Sequence, residues 1–104
     1  MELLTKAIRK KLPTLKATAN QEAEQQRVYL KLFDPAGSAS WYATSFDGKD
    51  TFFGYVTGLG CDELGEFSLK ELSEHKGRFG LGIERDIHWD DKTTLDKVMN
   101  GEKR

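Results

Sequence analysis

The chain has one cysteine in 104 residues, Cys61, so no internal disulfide can staple the fold. A lone thiol fits a reducing compartment, and a cytoplasmic location is the expectation. Nowhere does an apolar run approach the roughly 20 residues that a membrane-spanning helix needs. The opening stretch through Lys11 likewise lacks the apolar core of a secretory signal. Neither charge sign dominates: 16 Lys+Arg stand against 17 Asp+Glu, a formal net charge of -1. That balance argues against a histone-like basic binder and against an acidic mimic of DNA. Catalytic and nucleotide motifs are missing too. The glycine-punctuated stretch GLGCDELG at 58–65 fits neither G-x-G-x-x-G nor G-x-x-x-x-G-K-[ST], and Asp62 and Glu63 would repel a phosphate. It reads as an ordinary turn. No G-x-S-x-G elbow occurs, and the same two acids disfavour a thiolate at Cys61.

What is present suffices for one modest core: 38% apolar residues and 11% aromatics in a chain of single-domain length, residues 1–104. Charge is unevenly placed. Residues 1–16 carry five basic side chains (Lys6, Arg9, Lys10, Lys11, Lys16) and one acid, Glu2, while the rest carries 11 basic and 16 acidic groups. A basic head lying on its own acidic body is the first reading; an anionic partner at the head is the second.

Leu3, Leu4, Ala7, Ile8 and Leu12 form one helical stripe that Pro13 ends. Residues 17–26 are polar and read as a loop with at most a turn of helix. From Arg27 the period becomes two, predicting strands over residues 28–33, 40–46 and 51–57. Asp47-Gly48 supplies the tight loop of a hairpin between the last two. Glu66-Phe67 predicts a short strand, Ser68 with Glu71 a helix cap, and Gly77, Gly80 and Gly82 a loop. Residues 83–89 alternate again, and a final helix capped by Thr93 or Thr94 stops at Asn100-Gly101. The fold class is therefore α+β: an antiparallel meander sheet of three or four strands, an N-terminal helix and one or two short C-terminal helices.

Three places could carry chemistry. On a strand over 83–89, Glu84, Asp86 and His88 share one face about 7 Å apart, the donor types of a metal or proton-transfer site. The competing reading is the wet face of a half-solvated sheet, and no cofactor or metal is assigned. Arg85 would point toward the apolar face, which requires a partner for its guanidinium; Asp34, Asp47 and Asp50 are candidates for a structural salt bridge. The meander places Val28, Leu30, Leu32, Tyr42, Phe46 and Phe52 on one face and Tyr29, Lys31, Phe33, Trp41, Phe53 and Tyr55 on the other. A bare aromatic face with a lysine could stack nucleic-acid bases, but a protein partner fits better, because no RNP-like motif accompanies it.

Several of these stretches together resemble a known family. They are Glu2-Leu3-Leu4-Thr5, Leu12-Pro13, Trp41-Tyr42-Ala43-Thr44, Asp50-Thr51-Phe52-Phe53-Gly54, Glu63-Leu64-Gly65-Glu66-Phe67-Ser68-Leu69 and Gly82-Ile83-Glu84-Arg85-Asp86. The chain resembles a bacterial family of roughly hundred-residue proteins of unknown function, often encoded on plasmids, conjugative elements and phages. The resemblance implies no activity and no catalytic residues. It does imply a mobile-element setting, in which small accessory proteins act by binding host proteins.

The expectation is thus an accessory module that contacts another protein through Trp41, Phe53 and Tyr55, with Arg85 a binding candidate as a substrate clamp behind its salt-bridge reading, and with no membrane association. One alternative is a nucleic-acid binder using Lys6, Arg9, Lys10 and Lys11, whose affinity would fall steeply with salt. The other is a metal-dependent hydrolase using Glu84, Asp86 and His88.

Overall fold

The computed structural model describes the backbone of residues 1–104 and every side chain except that of Arg78. Thr5 starts the first helix, α1 (Lys6–Lys11), because its Oγ1 accepts the otherwise unpaired Ile8 N–H at 3.2 Å. The helix therefore begins later than the apolar stripe suggests. Leu3 and Leu4 precede it and are buried in the core, where Ile8 and Leu12 join them. Leu12 is extended, as a residue before proline must be. Thr14 repeats the capping trick for a four-residue helix, α2 (Leu15–Thr18), and a 3-10 turn follows at Ala23–Gln25.

Five strands make one sheet: β1 (Leu30–Phe33), β2 (Ser40–Phe46), β3 (Thr51–Thr57), β4 (Glu63–Ser68) and β5 (Glu84–Arg85). Their order is β4-β3-β2-β1-β5 and every neighbouring pair is antiparallel. Two helices complete the chain, α3 (Leu69–Glu74) and α4 (Leu95–Met99). The α+β meander is as expected, with one strand more than the upper expectation. Glu63, Leu64 and Gly65 lengthen the short strand expected at Glu66-Phe67: they continue the ladder opposite β3, so the glycine turn is confined to residues 58–62.

A bulge corrects the assignment of faces. Ala43 pairs with Gly54 but Ser45 pairs with Phe53, so Thr44 is an extra residue in β2. Pairing with Leu32 puts Trp41 on the Leu30/Leu32 face, and the bulge brings Phe46 onto that same face. Trp41 and Tyr42 thus exchange the faces that simple alternation gives them. Val28 also departs from the alternation. Its N–H donates to the Thr93 carbonyl at 2.8 Å, ahead of β1, and its side chain joins the opposite cluster.

Each face has its own cover. Leu3, Leu4, α1, Leu72 of α3 and Ile83 close over Leu30, Leu32, Trp41, Phe46 and Phe52. Phe52 is sandwiched there between Phe46 and Phe67, with ring centroids 4.6 and 5.4 Å away. Val28, Leu95 and Val98 of α4, with Trp89, close over Tyr42 and Tyr55. Among the described residues, no helix is long and apolar enough to cross a membrane.

Candidate functional site

The alternating run at 83–89 is not one strand. β1 is only four residues long and offers partners to two of them: Glu84 opposite Phe33 and Arg85 opposite Leu32. After Arg85 the chain turns, because the Asp86 carboxylate accepts the His88 N–H at 3.0 Å and so closes an Asx-type turn. Glu84, Asp86 and His88 therefore do not form a row, and His88 is exposed. Among the described residues, no group of three or more His, Cys, Asp and Glu side chains is placed to hold a metal ion.

Arg85 does share the face of Leu32, as the alternation requires. Its partner is not a carboxylate, however: its guanidinium donates to the backbone carbonyl of Glu2. That contact ties the N-terminal segment to β5. Asp47 and Asp50, two of the candidates for the pair, are committed elsewhere. One Asp47 oxygen accepts the N–H groups of Lys49, Asp50 and Thr51 at 2.8, 2.8 and 3.0 Å. These donors hold the Asp47 carboxyl below its ordinary pKa. Asp50 takes the Ser68 hydroxyl at 2.5 Å and the Lys70 N–H at 2.8 Å, docking α3 on the hairpin. Asp34 lies beside His75, 3.9 Å from its Nε2.

The aromatic face is covered. Trp41 and Tyr55 are each only 8% exposed, on opposite faces, and Phe53 is half-buried. Lys31 folds over the rings of Tyr42 and Trp89 at 5.6 and 5.9 Å. Burial on this face pushes the Tyr42 phenol above its ordinary pKa.

The basic head splits. Arg9 donates to the Gly48 carbonyl and sits 5.2 Å over the Phe46 ring. Lys11 pairs with Asp91 at 2.7 Å, and Arg27 reaches the same carboxylate at 3.3 Å. Lys11 above all, with Arg27 beside it, holds the Asp91 carboxyl below the usual carboxylate range. Lys6 and Lys10 face solvent.

A different feature stands out between α3 and β5. Lys76 bridges to Gly82, and the Gly77 N–H donates to the Leu81 carbonyl at 2.8 Å, which closes a small hairpin. Its tip carries Phe79, 91% exposed, with φ 61° and ψ 18°. This is the left-handed region, which a bulky side chain rarely enters, and Phe79 is the one non-glycine residue with positive φ among the described residues.

The model of the family described as "Protein of unknown function (DUF2958)" matches residues 3–102. The chain belongs to this family. No curated protein and no solved structure matches it.

Membership in DUF2958 covers nearly every element described above, from the buried Leu3 to the turn after α4. Within this DUF2958 chain, Phe79 is the residue that pattern reading passes over. The glycines at 77, 80 and 82 mark the loop correctly, but a loop prediction does not say which side chain it exhibits. The signal on offer was an aromatic set between glycines and next to basic residues, in Lys76-Gly77-Arg78-Phe79-Gly80.

Proposed function

We propose that this domain is a protein-binding accessory module, acting in the bacterial cytosol in the mobile-element setting that its resemblance implies, and that Phe79 is its anchor. The observation that carries the reading is a phenylalanine 91% exposed at the tip of a hairpin and held at positive φ. An exposed ring gains by entering a pocket on another protein, and aromatic side chains are the usual anchors of such interfaces. A left-handed non-glycine residue costs on the order of 1–3 kcal/mol and collects at functional sites. Here the strain fixes the direction in which the ring is presented.

The competing functions have less support. Two of the four basic residues offered to nucleic acid, Arg9 and Lys11, are spent inside the fold. Glu84, Asp86 and His88 are divided between a ladder and a turn.

The test is Phe79→Gly, which suits the backbone angles and deletes the ring. The variant should melt at the same temperature as the parent or higher. It should also lose the host proteins that immobilised parent protein retains from a bacterial lysate. Identical retained proteins for both forms would remove Phe79 as the anchor.

A further inference from the structure

We infer that the β4 edge takes an extended, cationic segment of a partner protein as a sixth strand, with a lysine or arginine and an apolar residue two positions apart entering the groove beside it. This surface is separate from Phe79: β4 is one edge of the sheet, whereas the Phe79 hairpin leads into β5 at the other.

β4 has β3 on one side and no strand on the other, so one row of its backbone groups is open to pairing. Such edges are commonly blunted by charge, proline or a bulge; Glu63-Leu64-Gly65-Glu66-Phe67-Ser68 has neither proline nor bulge, and its only charges are acidic, so they deter acidic strands and leave the edge open to a basic one. At its centre stands Gly65. A β-carbon built there meets nothing within 4 Å, and its φ is not positive, so neither packing nor backbone conformation inside this chain calls for glycine. The β3–β4 register runs unbroken through Gly65, so it marks no bulge, and close approach of a ligand or another backbone is the remaining use of a strand-interior glycine.

The ladder register then says what the approaching strand meets. Leu64 lies opposite Tyr55 and Glu66 opposite Phe53, so both project to one face. On that face a groove of about 460 Å³ runs between β3–β4 and α2, lined by Leu15, Phe53, Leu64, Glu66 and Gln26 among others. Its polar groups want donors. Glu66 has no side-chain partner among the described residues. Gln26 is only 8% exposed; its Nε2 donates to the Gln21 carbonyl at 3.0 Å, while its buried Oε1 has no partner among the described residues. An incoming ammonium or guanidinium answers the Glu66 carboxylate, while the Gln26 Oε1 stays sealed in the groove wall. Leu64 and Glu66 are two residues apart, about 7 Å along the strand, and a paired strand presents an apolar and a basic side chain at that same spacing.

The experiment is selection of dodecapeptides from a random library on the immobilised protein, followed by titration of the enriched peptides. The expected peptides carry a basic and an apolar residue at i and i+2. Glu66→Lys should weaken them by about tenfold to a hundredfold, the worth of a hydrogen bond to a charged group. Methylating alternate backbone nitrogens of the peptide should abolish binding in one parity and spare it in the other. Phe79→Gly should bind them unchanged, which separates this surface from the hairpin. The inference is overturned by an empty selection, by peptides without that spacing, or by binding that survives both methylation parities. It is equally overturned if Phe79→Gly abolishes binding, or if the free protein forms a concentration-dependent dimer that Glu66→Lys dissolves.

Discussion

Gly54 and Gly65 face each other across β3 and β4, yet they are glycines for opposite reasons. A β-carbon at Gly54 would lie 1.8 Å from the Tyr42 carbonyl oxygen and 2.8 Å from its carbon. The obstacle is backbone of β2, which cannot swing aside as a side chain can. Gly54→Ala should therefore cost at least about 3 kcal/mol, the upper end of overpacking penalties. Gly65→Ala meets open space and removes backbone freedom from the unfolded chain, so it should add about 0.5–1 kcal/mol. Urea denaturation of the two variants checks both signs. Equal effects would mean that the bulge at Thr44 yields and lets β2 withdraw. No pattern in the sequence separates these two glycines, because the difference lies in what the next strand does.

At the scale of elements, what was legible depended on whether local signals were sufficient. The β2–β3 hairpin was readable because Asp47-Gly48 needs no distant help: Gly48 takes φ 87° and Asp47 collects its three N–H donors within four residues. The length of β5 was not readable, since alternation over 83–89 says nothing about how many partners β1 can offer. The exchange of Trp41 and Tyr42 escaped for a similar reason, because register is set by Leu30↔Ala43 and Leu32↔Trp41 rather than by β2 alone. The hairpin supplies a pH prediction. Asp47 is held below its ordinary pKa, so its contribution is present above the unfolded value of about 3.9 and is lost as pH falls through the lower folded value. Asp47→Ala should lower the urea midpoint at pH 6, and the gap from the parent should narrow on acidification toward pH 2.5. A gap independent of pH would assign the turn's stability to Gly48 instead.

Across the whole molecule, the uneven charge noticed in the sequence resolves into contacts that close the chain on itself. The carboxylate of Asp91 holds Lys11, 80 residues away, and Arg27, 64 residues away, so one acid joins α1, the approach to β1 and the loop before α4. These pairs are partly solvated, with Lys11 and Arg27 side chains 57% and 43% exposed, and each is worth only about 0.2–1 kcal/mol. Their value lies in joining the covers of the two sheet faces. Swapping the charges tests this better than deletion. Lys11→Asp alone sets two acids together and should destabilise; Asp91→Lys alone sets three cations together and should destabilise more. The double variant should recover most of the Lys11–Asp91 part while leaving the introduced ammonium against Arg27, so the cycle yields a coupling of about 1 kcal/mol or less. The coupling should shrink as salt rises from 50 mM to 1 M, about 3 Å of screening length remaining at the upper limit. A cycle that closes additively at low salt would mean that the basic head is held by the Arg9 contacts and the buried Leu3 and Leu4 alone, leaving Lys11 free for an outside anion.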